Sequence, residues 1–326
     1  MATDLVRIHR IVEQTVDHLQ LDLKGTTVLT ELGSGNFLFT PLIALMAGAE
    51  KVYAWTKDSP YGKGADLVTE IEGVLRSLNI SGHLSVAVNE RPLRHVEEAD
   101  IITNLGMIRP IDGQLISRMR STAVIPYMCE AWELREGDVD VQKCKERNIR
   151  VAGTWENHPS VGVFDYCGAL ALKLIMEAGY EIRNNHILII SPDHFGEVAE
   201  RDLLALKATI THKNEWKDVT PADLEKAELV YFADYSSRGT AVITGETIAH
   251  LQRNGIGIVH LCGGLDTDGL ATKGVRVYPA KKGYPKRMTQ TLAYLGPTPL
   301  IRLHAAGLKV AELLLKGKES ELVQRL

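Results

Sequence analysis

Apolar and polar positions along the chain alternate between a strand period and a helix period. Short runs rich in Val and Ile, namely TTVLTEL, EKVYAW, HLSVAV, ADIITNL, TAVIPYM and NIRVAG, predict six strands in the first half. The charged amphipathic stretch MATDLVRIHRIVEQTVDHL precedes them and predicts an opening helix. SVGVFDYCGALALKLIMEAG, residues 160–179, predicts a long helix that opens at Ser160 and stops at Gly179. A second series follows, HILIIS, KATITH, AELVYFA, GIGIVHL and GVRVYP, and the helix PLIRLHAAGLKVAELLLKG closes the chain. Strands separated by helical segments imply mostly parallel sheets with helices on both faces. Two such series, joined by one long helix, predict two α/β domains with a cleft between them.

The length of 326 residues suits two domains, each with a sizeable core. With 37 basic against 41 acidic residues and no basic stripe, nucleic acid and acidic membranes are poor partners. No window is apolar enough to span a bilayer and the N-terminus lacks the apolar core of a signal peptide, so a cytoplasmic protein is expected. Cys129, Cys144, Cys167 and Cys262 show no C-x-x-C spacing, so neither a metal site nor a disulfide framework is expected.

Two strand-to-helix turns draw attention to themselves. In LTELGSGNFLFTPLIALMAGAEKVYAW, residues 29–55, a strand ending at Glu31 leads into Gly33-Ser34-Gly35-Asn36. Glycines there let backbone amides approach a ligand. The pattern E-x-G-x-G, followed by G-A-x-x-V-x-A, resembles the first motif of class I S-adenosylmethionine-dependent methyltransferases. That family usually carries an acid at the end of the next strand to hold ribose hydroxyls, and here Asp58 comes a few residues late. A tight connection with no ligand is the alternative. The second turn, Ser191-Pro192-Asp193-His194-Phe195-Gly196, stands where a dinucleotide fingerprint G-x-G-x-x-G would. Only the third glycine remains, so its packing role survives while the role of meeting the pyrophosphate is compromised. The following strand ends in His212-Lys213, which suits the 2′-phosphate of NADP, or no nucleotide.

The longest resemblance runs through residues 99–174 and 242–270. Ile111-Asp112, Val139-Asp140, Lys145-Glu146-Arg147-Asn148-Ile149, Gly153-Thr154 and Ser160-Val161 fall in the places and order of the D-isomer-specific 2-hydroxyacid dehydrogenases. VITGETIAHLQRNGIGIVHLCGGLDTDGL matches a later signature of that family, and the last helix matches its closing one. The resemblance implies two Rossmann-like domains, NAD or NADP as cofactor, and a homodimer. It implies a substrate domain of residues 1–157 plus 297–326 and a degenerate dinucleotide-binding domain of 158–296.

The family's reacting groups do not follow the resemblance. Cys262 stands where its carboxylate-binding arginine should precede Gly263-Gly264, Thr289-Gln290-Thr291 where its histidine belongs, and PAKKGYPKR where its acid belongs. Ordinary 2-hydroxyacid chemistry is therefore not expected. The candidate reacting groups are His158, Glu130 and Cys262. Candidate cofactor contacts are Ser191, Asp193, His194, Gly196, His212, Lys213, Asp234, Gly263 and Gly264. Candidate substrate contacts are Gly33, Gly35, Asn36 and Asn157. For Glu130, His158 and Cys262 the plainer roles of loop acid, turn residue and inert thiol stay open. The leading reading is a divergent NAD(P)-dependent oxidoreductase acting on a small polar molecule. An S-adenosylmethionine-dependent transferase and a non-catalytic ligand-binding descendant are the alternatives.

Overall fold

The structure is a computed structural model and describes residues 4–326. The chain divides into two compact units, Met1–Val163 with Gly296–Leu326, and Phe164–Leu295.

In the first unit, strands β1 (Thr27–Glu31), β2 (Lys51–Thr56), β3 (His83–Val88), β4 (Ile101–Ile102), β5 (Val124–Tyr127) and β6 (Arg150–Thr154) form one sheet. Its order is β3-β2-β1-β4-β5-β6, every neighbour parallel. The central strands β1, β4 and β5 are buried at nearly every position, as strands covered by helices are. Leu29, Ile102, Ile116, Ile125 and Tyr127 pack into one core on one side. The opening helix, Leu5–Leu19, is capped by Asp4 and buries Ile8, Val12, Thr15 and Leu19, one stripe at helical spacing. The last helix, Pro297–Lys316, lies on β5, β6 and the opening helix, and ends at Gly317 in the left-handed region.

A terminal strand, Val323–Arg325, adds to the free edge of β6 antiparallel, pairing Val323 with Thr154 and Arg325 with Ala152. The apolar pattern does not predict it. Three residues with an Arg and a Gln carry too little signal, and pairing with β6 supplies the order.

In the second unit, β7 (His186–Ile190), β8 (Thr209–Lys213), β9 (Leu229–Ala233), β10 (Gly257–Cys262) and β11 (Val277–Tyr278) form a parallel sheet ordered β8-β7-β9-β10-β11. All eleven strands expected from the apolar pattern are present. The long helix expected from residue 160 spans Tyr166–Glu177 instead, with Asp165 rather than Ser160 at its N-terminal boundary. Residues 158–163 turn instead, as Val161 and Gly162 both donate to the His158 carbonyl. Gly179 follows the helix at φ +84°, in its expected role as a stop.

Both sheets are doubly wound. The winding reverses between β1 and β4 in the first unit and between β7 and β9 in the second. Ligands of such sheets bind beyond the carboxyl ends of the strands at these switch points. Among the described residues, no helix is long and apolar enough to cross a membrane.

Candidate functional site

In the second unit the turn after β7 is closed on itself by its own acid. Asp193 caps the helix His194–Ala205, and Phe195 N–H donates to its Oδ1 at 3.2 Å. The amides of Tyr235 (2.9 Å) and Ser236 (3.1 Å), from the loop after β9, donate to Oδ2, and the Ser191 hydroxyl donates to Oδ1 at 3.2 Å. The carboxylate therefore spans the switch point and holds the amides that a diphosphate would use. Burial raises its pKa above the usual carboxylate range, against the pull of these donors. A dinucleotide diphosphate at this turn would have to displace the Asp193 carboxylate from these amides. Gly196 keeps the packing role: a Cβ there would lie 2.4 Å from Ser191 Cβ and 2.8 Å from His212 Nε2.

The other cofactor candidates of this unit are engaged within it. His212 places Nδ1 2.6 Å from Glu200 Oε2 and Nε2 2.9 Å from the Ser191 carbonyl, while Lys213 pairs with Asp223 at 3.2 Å. His194 contacts Glu197 at 2.6 Å and stacks on Phe164. Asp234 accepts from Ser236 and Ser237. Gly263, at φ +97°, and Gly264 leave no room for a side chain: added Cβ atoms would lie 2.3 Å from the Asp234 carbonyl and 2.5 Å from that of Gly239. Cys262 is fully buried, and burial together with Asp193 and Asp234 pushes its thiol well up. A thiol this buried and protonated has the character of the inert alternative rather than of an activated nucleophile.

In the first unit the glycine turn is equally compact. Gly35 sits at φ +60°, and a Cβ on Gly33 would lie 2.6 Å from Phe37 Cβ. Asp58, the late acid, is spent elsewhere: it accepts from Gly64 N–H and pairs with Lys63, both at 3.0 Å, capping the next helix. That leaves no acid free at the end of β2 in the manner the S-adenosylmethionine reading requires.

Glu31, the last residue of β1, is the acid that stands out. It is 4% exposed, and among the described residues its one hydrogen-bond donor is the Met107 amide, 3.1 Å from Oε2, from the loop after β4. Like Asp193, it bridges its switch point. Burial raises its pKa to about 7, opposed only by that amide and the Arg109 charge. The backbone closes over it at Gly106, where a Cβ would lie 2.9 Å from Oε2. Its position before a glycine turn is legible in sequence, but its desolvation is not.

Farther along the same carboxyl edge, Glu130 is buried and saturated. Glu156 N–H donates to Oε1 at 2.9 Å, and Trp132 Nε1 and Gln324 Nε2 each donate to Oε2 at 2.9 Å. This acid ties the terminal strand to the loop after β5. Glu156, missed by sequence reading, is buried beside Glu130 and Glu133. Burial and those two charges push its carboxyl well up, and burial, with Glu133 and Glu156, does the same to the Cys129 thiol. His158 Nδ1 accepts from Ser160 N–H at 3.2 Å and lies 2.7 Å from Ser160 Oγ, its ring edge-on to Trp155. Asn157 is half-buried in the same turn. Among the described residues, no group of three or more His, Cys, Asp and Glu is placed to hold a metal.

No protein-family model and no curated protein sequence matches the chain. Solved structures do. A dipicolinate synthase from Bacillus halodurans aligns with a TM-score of 0.57 at 13% identity, over 90% of this chain and 99% of that one. The dipicolinate synthase of Bacillus subtilis gives 0.56 at 10%, over 92% and 100%. The pyruvate reductase of Chlamydomonas reinhardtii gives 0.53 at 10%, over 91% and 98%. At such identities the likeness is one of fold. The chain thus has the two-unit, Rossmann-like α/β architecture of these proteins, the one implied by the resemblance to 2-hydroxyacid dehydrogenases. These matches give the S-adenosylmethionine reading no support.

Proposed function

We propose that the protein is a divergent NAD(P)-linked oxidoreductase acting on a small polar molecule, with reacting groups other than those of 2-hydroxyacid dehydrogenases. The supporting observation is the fold shared over nine-tenths of the chain with a pyruvate reductase, both units included. The retained Gly196 packing adds to it. The Asp193 carboxylate sets a limit: a dinucleotide competes with it for the amides of Phe195, Tyr235 and Ser236, so affinity is weak. No chemical step is assigned through the cofactor.

Fluorescence titration with NADH and NADPH tests the reading. The native chain binds one of them weakly, and Asp193→Ala binds it about tenfold more tightly, since a competing charge worth roughly 1.4 kcal/mol is gone. Absence of binding by both proteins to both nucleotides would rule the reading out and leave a non-catalytic ligand-binding protein.

A further inference from the structure

The acid at the first unit's switch point has acceptor capacity that the protein leaves unused. An ionised carboxylate offers about four acceptor positions. Glu31 receives the Met107 amide at Oε2, and among the described residues no hydrogen bond reaches Oε1. Arg109, the charge that acts on Glu31, is held by Asp138 at 3.3 and 3.4 Å, and Asp138 also accepts from Tyr127 Oη at 2.8 Å. That guanidinium is committed to another acid.

The other elements packed around Glu31 bring little to balance it. β2 pairs Glu31 with Trp55, and Lys57 Nζ lies over the Trp55 ring at 5.4 Å. The segment Gly35–Met46 that follows the turn carries no charged residue. On the last helix, His304 packs against Phe37 and bonds Thr40 Oγ1 at 2.7 Å, and burial holds it neutral, its pKa lowered to about 3. Along the edge of the sheet stand Glu130 and Glu133, which bring no positive charge, and Glu156, whose raised carboxyl keeps its proton. A buried acid without a counter-ion costs stability, and a fold keeps one at a switch point where a ligand supplies the missing charge.

We propose that the carboxyl ends of β1 and β4 form a binding site for the ammonium group of a small primary amine, with Glu31 as its counter-ion. An ammonium offers three donors, which suits the roughly three acceptor positions left open on Glu31. A hydroxyl brings donors without charge and leaves the imbalance in place. This site is independent of the dinucleotide reading of the second unit.

The probe is ethanolamine, with ethylene glycol and sodium chloride as neutral and ionic controls. Binding is read from the Met107 amide resonance and from the thermal midpoint of the full chain. Ethanolamine shifts both and the controls do not. Because the amine binds the ionised carboxyl, its affinity falls about tenfold from pH 8 to pH 6. Glu31→Gln, which keeps the shape, abolishes the response, while Glu97→Gln on the surface leaves it intact. No response to ethanolamine at pH 8, an equal response to ethylene glycol, or a Glu31→Gln response equal to the native one overturns the proposal. The thermal midpoint of Glu31→Gln without ligand, read in the same experiment, separates a lost response from unfolding.

Discussion

Two acids occupy equivalent places in the two sheets, and the protein treats them in opposite ways. Asp193 follows β7 and reaches across to the loop after β9, and Glu31 ends β1 and reaches across to the loop after β4. Asp193 accepts from three amides and a hydroxyl, which fills a carboxylate. Glu31 accepts from one amide. A filled acid caps a helix, closes a turn and takes the place of a ligand. An unfilled one weakens the fold and stays ready for a partner. Of the two turns, the one that resembles a dinucleotide fingerprint is the more occupied.

This contrast can be broken at several points. Glu130 is a third acid on the same edge as Glu31, but saturated, so removing it should hurt the fold most. Glu130→Ala strands the Trp132 and Gln324 donors and the Glu156 amide, at a cost of about 3 kcal/mol in urea unfolding. An unchanged midpoint would mean that saturation does not separate structural acids from available ones.

Glu31→Gln should act in the opposite sense. With its pKa raised from 4.5 to about 7, folded Glu31 keeps a proton that the unfolded chain has released. Native stability therefore falls as pH rises through that window, by up to about 3 kcal/mol in all. Glu31→Gln removes this slope and is the more stable protein at pH 8. A parallel pH–stability curve for native and variant would place Glu31 among ordinary exposed acids.

Gly196→Ala sharpens the other half of the comparison. Its Cβ meets Ser191 at 2.4 Å, so the helix must shift from β7, costing about 2 kcal/mol. Arg at this position disrupts packing even more, so loss of nucleotide binding in such a variant says nothing about contact with the nucleotide. Asp193→Ala has the smallest effect on stability, about 1–2 kcal/mol, because the freed Ser236 amide is exposed to water and only part of the four-donor set is stranded, while opening the amides. If it costs much more, the turn is held by Asp193 rather than by the packing of Gly196.

The residues that carried the family resemblance prove to be structural ones. Asp112 and Asp140 cap the helices Gly113–Arg118 and Val141–Glu146, accepting from Leu115 N–H and Lys143 N–H at 2.9 Å. Ile111 and Val139 bridge beside them. Thr244 and Asp266 cap two more helices. Gly153 lets the backbone at Ala131 approach: a Cβ there would lie 2.6 Å from the Ala131 amide. Caps and close approaches depend on local geometry, so their spacing is readable in sequence and outlasts a change in chemistry. Ser160 is the exception. Its serine looks like a cap but hydrogen-bonds with His158 inside a turn.

By itself the sequence determined the alternation of strand and helix, the eleven strands of the two series, the stop at Gly179 and the glycine that packs helix against strand. All of these follow from side-chain period and from contacts a few residues apart. Tertiary structure decided which acids are filled. Met107 lies 76 residues from Glu31, Tyr235 lies 42 from Asp193 and Gln324 lies 194 from Glu130. A carboxyl group's charge state depends on how much water it loses and how many donors replace it. Both are set by chain segments that meet only when the sheets have formed.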